Sequence, residues 1–319
     1  MRVLVTGGAG FIGSHLVQSR LEMGDEVTVL DDFNDFYDPR IKERNLSGLT
    51  SDVRIVRGDI RNEALVENLF LEGRFETVVH LAARAGVRPS LNDPRLYVET
   101  NVVGTLNILE AARKSGVERV VNASSSSVYG VLKTAPFRED MALTRTISPY
   151  AATKLAGEQL CSNYSHLYGI RTISLRFFTV YGPRQRPDLA IHGFCRAISE
   201  GRPIKQFGDG STRRDYTYID DILQGVNGAM AYEGAPCEVF NLGESHTTTL
   251  SELIALIEKA LGRKADINVL PEQPGDVPLT YADIGKAQRE LGYRPMVPVS
   301  VGIPRFVDWF QALAREGVQ

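Results

Sequence analysis

Two side chains four residues apart define the chemistry open to this chain. Tyr150 and Lys154, in Tyr150-Ala151-Ala152-Thr153-Lys154, place a phenol and an ammonium on one face of a helix. A neighbouring cation favours the phenolate and draws a phenol's pKa down towards neutrality, which makes Tyr150 a candidate general base for a hydroxyl group. The same pair is also common on exposed helix surfaces, so the spacing alone does not decide. A third group adds weight. The run Ala123-Ser124-Ser125-Ser126-Ser127-Val128-Tyr129-Gly130 follows a strand-like stretch and offers hydroxyls at the carboxyl edge of a parallel sheet, where open α/β sheets bind ligands.

A second constellation binds rather than reacts. Thr6-Gly7-Gly8-Ala9-Gly10-Phe11-Ile12-Gly13 satisfies G-x-G-x-x-G through Gly8, Gly10 and Gly13, and the wider G-x-x-G-x-x-G through Gly7, Gly10 and Gly13. Glycines let backbone approach a pyrophosphate, and the helix directly after them presents free N–H groups and a positive dipole end to it. The next strand ends in Asp31, 18 residues beyond Gly13, near the ~20 expected for the acid that holds the adenosine ribose. Asp31 and Asp32 together repel a 2′-phosphate, so the expected cofactor is NAD rather than NADP. Later strand ends carry Asp59-Ile60 and Leu81-Ala82-Ala83, placed to border adenine and pyrophosphate.

These residues need a sheet to hold them. Strand candidates Arg2–Val5, Glu26–Leu30, Val53–Arg57, Thr77–Leu81, Arg119–Ala123 and Arg171–Arg176 are rich in Val, Ile and Leu and mostly do not alternate in polarity. That is the pattern of strands covered on both faces. Helical patterns separate them at Gly13–Met23, Glu63–Leu71, Tyr97–Ser115 and Tyr150–Tyr168. The alternation predicts an α/β fold with a Rossmann-type doubly wound parallel sheet. Beyond Tyr181, proline and glycine become frequent and helices shorter (His192–Glu200, Tyr218–Tyr232, Leu250–Leu261). We expect a nucleotide-binding domain over residues 1–176 and a smaller, mixed substrate-binding domain over 177–319, with some interleaving and Pro271–Pro278 as a loop returning to the site.

Composition narrows the partners. A length of 319 residues suffices for one or two cores, and 43% hydrophobic with 24% charged residues is ordinary for a globular protein. A net charge of -3 gives no footprint for nucleic acid or an anionic membrane, so an anionic ligand must rely on local arginines. Cys161, Cys195 and Cys237 have neither metal-ligand spacing nor an even count, so we expect three reduced thiols, no metal and a cytoplasmic protein. No apolar run approaches the length of a membrane span.

The order T-G-G-A-G-F-I-G, Asp31, H-L-A-A, S-S-S-S-V-Y-G, S-P-Y-A-A-T-K and R-F-F-T-V-Y-G-P resembles the extended short-chain dehydrogenases that act on nucleotide sugars, over essentially the whole chain. The resemblance implies a Ser/Thr-Tyr-Lys triad of Ser125, Tyr150 and Lys154, with Lys154 also holding the nicotinamide ribose. It implies that Phe177 and Phe178 flank the nicotinamide.

Members of that family oxidise a sugar hydroxyl and differ in the fate of the ketone. Those that eliminate water resemble one another in T-D-E-V-Y-G, and UDP-glucuronate decarboxylases in T-S-E-V-Y-G. Here Ser126 and Ser127 replace the acids, which leaves hydride removal and return, an epimerisation. Phe177–Asp188, Asp31–Asn34 and Ala85–Ser90 resemble UDP-glucuronate 4-epimerases, which interconvert UDP-glucuronate and UDP-galacturonate through a 4-keto sugar. Ser125, Ser126, Ser127 and Thr179 are then a hydroxyl cradle for the C6 carboxylate, since hydroxyl donors bind an ionised acceptor strongly.

By the same resemblance Arg186 and Arg214 meet the pyrophosphate, Phe207 packs on uracil and Asp276 accepts from the uridine ribose. Gln273 stands where many relatives keep an arginine. Arg88 belongs either to the substrate loop or to the surface. A UDP-glucose or UDP-N-acetylglucosamine 4-epimerase, a decarboxylase, and a non-catalytic NAD sensor remain the alternatives, the last disfavoured by the intact triad. Helices Tyr97–Ser115 and Tyr150–Tyr168 resemble those that build a homodimer in relatives.

Overall fold

The computed structural model describes residues 1–49, 51–271 and 277–315. Six parallel strands carry the first half of the chain: β1 (Arg2–Thr6), β2 (Glu26–Asp31), β3 (Val53–Arg57), β4 (Thr77–His80), β5 (Arg119–Ser125) and β6 (Arg171–Phe177). A seventh, Cys237–Leu242, pairs in parallel with β6, and the spatial order is Cys237–Leu242, β6, β5, β4, β1, β2, β3. The chain works outward from β1 in one direction and then restarts at β4 on its other side. The point between β1 and β4, where Thr6 lies opposite His80, is therefore the crevice in which such sheets take a ligand.

The strands lack polar alternation because both faces are buried. Leu4, Leu30, Val78 and Val120 feed one core, and Val3, Val5, Val29, Val79 and Val121 the other. Helices cover both faces, and their ends obey local chemistry. The helix Pro149–Tyr168 starts where Ser148 Oγ accepts a hydrogen bond from the Ala151 N–H, has Pro149 at its first position, and stops at Gly169 in the left-handed region.

The expected helix Tyr97–Ser115 is in fact three pieces. Pro94–Val98 runs into a π-helical turn, Glu99–Val103, and then into Gly104–Ser115. A π turn adds a residue to the helix and rotates the turns beyond it. Here Asn101 turns inward, where its amide donates to the Arg84 carbonyl at 3.0 Å and to Thr153 Oγ1 at 3.0 Å and accepts from the Arg84 N–H at 2.7 Å.

Beyond β6 the chain builds short ladders: Thr179–Tyr181 with Tyr216–Tyr218, Ile204–Phe207 with Ile267–Leu270, and Arg213–Arg214 with Thr248–Thr249. The strand Cys237–Leu242 lies past residue 177 yet belongs to the main sheet, so the two expected parts interleave. Sequence periodicity also passed over the helices Pro39–Ser47 and Val299–Arg315. Gly302 and Pro304 near the start of the latter read as breakers. The glycine is there because a Cβ would lie 2.0 Å from the buried Tyr181 hydroxyl.

Candidate active site

The cleft is laid down by the turn between β1 and the helix α1 (Phe11–Glu22). Gly7 has φ +70°, and a Cβ on it would meet the Ala82 N at 2.8 Å, so only glycine fits between the two strand ends. Gly10 is the N-cap of α1 and has no side-chain cap, which leaves the first-turn N–H groups facing the cleft. A Cβ on Gly10 would meet only the Gly7 oxygen, at 3.2 Å, and would otherwise fill the cradle. This is a fit for a pyrophosphate lying against a helix N-terminus.

At the end of β2, Asp31 is almost fully buried. It accepts from the Ala9 N–H at 3.1 Å, the Phe33 N–H at 2.9 Å and Lys42 Nζ at 3.3 Å. Three bonds on a carboxylate leave room for a ribose diol. Lys42 also stands 3.6 Å from Asp32. Leu81 donates its N–H to the Thr6 carbonyl at 3.1 Å, and Ala82 to Thr6 Oγ1 at 3.2 Å, so the β4 end closes onto the glycine turn. Gly7, Gly10, Phe11, Ile12, Gly13, Asp31, Asp59, Ile60, Leu81, Ala82, Ala83, Tyr150, Lys154 and Phe177 all line this one cleft.

The reacting groups enter from the β5 side. β5 ends at Ser125, whose neighbour across the ladder is Phe177, and the helix Pro149–Tyr168 brings Tyr150 and Lys154 above it. The Ser125 hydroxyl stands near enough to Tyr150 to favour its ionised form, and Lys154 Nζ donates to the Ala123 carbonyl at 2.7 Å. The Tyr97 ring packs edge-on against Tyr150 with centroids 6.2 Å apart.

The electrostatics differ from the expectation for this pair. Burial pushes the Tyr150 phenol up, and the groups that oppose the shift are the Ser125 hydroxyl and Arg186. The Lys154 ammonium reaches past the phenol to the strand end and lies 6.0 Å from the ring centroid. Lys154 is itself lowered to about 8 by burial, against the charge of Glu158. In the protein's own field, then, the Tyr150 phenol is not pre-ionised, and the Arg186 charge opposes the upward shift.

The remaining candidates fall into two groups. Thr179 and Arg186 line the same cleft as the triad. Arg186 is held by Asp188 through bonds of 2.9 and 2.7 Å and lies over the Phe36 ring. Ser127 stands one bond behind, its Oγ donating to Ser125 Oγ at 3.0 Å. Ser126 occupies the 3-10 turn after β5 and does not line the cleft. Of the four residues expected to supply hydroxyls to a carboxylate, Ser125 and Thr179 line the cleft and Ser127 bonds Ser125 from behind.

Arg88 and Phe207 stand outside that cleft and meet each other, the guanidinium 4.7 Å from the ring centroid. Arg214 sits on the Arg213–Arg214 strand, where Nη1 donates to the Arg213 carbonyl at 2.9 Å. Asp276 and Gln273 lie outside the described residues. Lining residues that the sequence did not single out include Lys42, Tyr37, Phe36 and Arg84. Lys42 and Tyr37 come soon after Asp31 in an irregular polar stretch, and nothing in their spacing distinguishes them from surface residues.

A parallel sheet with a glycine turn at its switch point and a Ser-Tyr-Lys group at the β5 edge defines a nucleotide-dependent enzyme of the short-chain dehydrogenase type. The chain belongs to the NAD dependent epimerase/dehydratase family, whose model matches residues 3–243. It is 42% identical over 97% of its length to UDP-glucuronate 4-epimerase 3 of Arabidopsis thaliana, covering 76% of that protein. A UDP-glucuronic acid 4-epimerase from Bacillus cereus, solved with UDP-glucuronic acid and NAD, superposes with a TM-score of 0.92 at 38% identity, covering 98% of this chain and 100% of that one. A UDP-glucose 4-epimerase from Thermotoga maritima, solved with UDP-glucose, gives 0.91 at 33% identity over 98% and 100%.

Proposed function

We propose that the protein is an NAD-dependent UDP-glucuronate 4-epimerase that interconverts UDP-glucuronate and UDP-galacturonate. One observation carries the reading beyond the family. The carboxylates lining the cleft, among the described residues, are Asp31, Asp32 and Asp59, all on the β2 and β3 side, whereas the wall at the triad offers Ser125, Thr179 and Arg186. Among the described residues no acid lines the cleft beside the phenol to eliminate water, and the hydroxyls and guanidinium suit an anion.

The glycine turn, the open N-terminus of α1 and Asp31 fit NAD, which supplies the hydride acceptor for oxidation at C4 and the donor for its return. Tyr150 takes the proton of the C4 hydroxyl, with Ser125 hydrogen-bonded to both oxygens. Arg186 stabilises the phenolate as it forms, and Lys154 orients the nicotinamide end of the cofactor. The resulting 4-keto sugar turns about its phosphate linkage and is reduced on the other face, Tyr150 returning the proton.

The intermediate is a β-keto acid. It loses carbon dioxide when the bond to the carboxylate stands perpendicular to the ketone plane. Thr179 and Ser125 hold the carboxylate away from that alignment. Arg186, Arg214, Phe207 and Asp276 serve the UDP moiety.

Residues 1–176 carry the cofactor and residues 177–319 mainly the sugar nucleotide, with Cys237–Leu242 lent to the first part. Exposed Val103, Leu106, Leu167 and Tyr168 on the helices Gly104–Ser115 and Pro149–Tyr168 and the adjoining π turn support a homodimer through that face. Among the described residues no helix is long and apolar enough to cross a membrane, and the three cysteines are free, which supports a cytoplasmic enzyme.

The test is a panel of UDP-sugars given to the purified protein without added NAD. UDP-galacturonate should form from UDP-glucuronate with little pentose and no net NADH. Equal rates on UDP-glucose would overturn the substrate, and a pentose as main product would make the protein a decarboxylase.

A further inference from the structure

Beneath the triad lies an ion pair for which the proposed chemistry has no part. Glu158 and Arg176 side chains are each 4% exposed. Arg176 binds the carboxylate with both arms of its guanidinium, Nε at 2.9 Å and Nη2 at 2.7 Å. Arg176 Nη1 continues to the Tyr129 hydroxyl at 3.1 Å, which donates to Asn241 Oδ1 at 2.7 Å. Among the described residues the Glu158 carboxylate also accepts from Ser124, through its hydroxyl. Ser124 precedes Ser125 and lines the cleft.

Stability does not call for this arrangement. Desolvating two charges costs about as much as their attraction returns, and apolar residues of similar volume serve a core equally well. The location is informative. Glu158 is four residues after Lys154, one turn along the same helix. Yet the ammonium does not bond it and instead holds the Ala123 carbonyl, on the strand end that Ser124 continues. The charged and titratable groups around Lys154 are Tyr150 and Glu158 on its own helix, His80 on β4 and Arg176 on β6. Burial keeps His80 neutral, lowering it to about 3, which leaves Glu158 as the anion.

We propose that Glu158 is a positioning residue for the reaction: from below the cleft it anchors Ser124, and with it the strand end bearing Ser125, and one helical turn from Lys154 it sets its carboxylate facing the ammonium. The Lys154 value is consistent with this, since burial draws it down and Glu158 alone among the charges opposes the fall. Arg176 holds the carboxylate in place through its two bonds. The proposal rests on the triad described above.

The experiment tracks Lys154 directly in the full-length protein by carbon-13 lysine NMR, the signal assigned with Lys154→Met, alongside the pH profile of kcat on UDP-glucuronate. Glu158→Gln should lower the Lys154 titration and the alkaline limb of kcat together by about one pH unit or more. KM should stay within about twofold. Glu158→Asp, which keeps the anion, should restore most of both.

If Glu158→Gln leaves Arg176 too poorly compensated to fold, the pair Glu158→Gln/Arg176→Gln lacks both charges and should still shift downward, by less than the single variant because a cation is lost with the anion. A titration and limb that do not move in whichever variant folds, with kcat falling only in step with thermal stability, would reduce Glu158 to a structural role. A wild type that turns over no UDP-sugar would instead defeat the proposed function, and the NMR titration would still decide the link between Glu158 and Lys154.

Discussion

Burial resists ionisation of Tyr150, while two neighbours, Ser125 and Arg186, ease it. A base of this kind acts only as the hydroxyl proton leaves. Tyr150→Phe should therefore lower kcat by about 10²–10⁴-fold while UDP-sugar binding, measured calorimetrically, changes little. Near-normal kcat would remove Tyr150 from the role. Asp31 carries three hydrogen bonds from the protein and lines the cleft; on the proposed reading it meets the adenosine ribose, so Asp31→Ala should weaken NAD binding by about 1–3 kcal/mol in a direct titration. Thr179 stands in the wall beside the triad. Thr179→Ala should slow epimerisation and raise the ratio of pentose to hexuronate product by mass spectrometry. A slower variant with no extra pentose would end the protective role of that hydroxyl. Loss of one or two charge-assisted bonds also sets the preference for UDP-glucuronate over UDP-glucose at about tenfold or more.

The helix Pro149–Tyr168 places the phenol in its first turn, so its capping and the catalytic geometry are one problem. Ser148 Oγ accepts from the Ala151 N–H at 3.1 Å. Ser148→Ala should cost about 1 kcal/mol in urea denaturation, with a kcat loss larger than that figure explains if the first turn frays. A kcat that tracks stability alone would show that Tyr150 is held by its side-chain neighbours rather than by the cap. The π turn Glu99–Val103 works similarly at one remove. It spends a residue of helical register to bring Asn101 between Arg84 and Thr153, tying the β4 loop to the catalytic helix. Periodicity read this region as one helix because a single extra residue barely disturbs an apolar stripe.

Across the whole molecule, buried titratable groups pull stability in opposite directions with pH. Burial raises Asp215 to about 6, and burial with the charges of Asp215 and Asp221 raises Glu244 to about 7. In the folded state both keep protons that the unfolded chain has already released. Their contribution is therefore fully present below the ordinary carboxylate values and is lost as pH rises from there through about 6 and about 7. His15, lowered to about 4 by burial, and His80 act in reverse, favouring the fold above the ordinary histidine value and losing that as pH falls. Among the described residues Glu244 Oε2 is buried without a hydrogen-bond partner. Glu244→Gln should therefore raise Tm relative to wild type more at pH 8 than at pH 5, by about 2 °C or more in thermal scans. An equal difference at both values would show that Glu244 is ionised throughout.

Local chemistry determined much of this protein. The glycine turn, Asp31, the Tyr150–Lys154 spacing and strands β1 to β6 were legible because each depends on residues close in sequence: apolar runs buried on both faces, glycines where backbone must approach, caps at helix starts. The tertiary structure decided what long-range register alone can decide. Cys237–Leu242 is a short run whose membership of the main sheet depends on pairing with β6, far earlier in the chain. Lys42 became part of the cofactor wall only because its helix folds back beside Asp31. The serine run offered four equivalent hydroxyls, and the fold tells them apart: Ser124 and Ser125 line the cleft, the Ser124 hydroxyl donating to Glu158, while Ser126 in the turn after β5 does not line it. Side-chain direction at a strand end is set by the path of the backbone beyond it, and that path is fixed by packing rather than by the run itself.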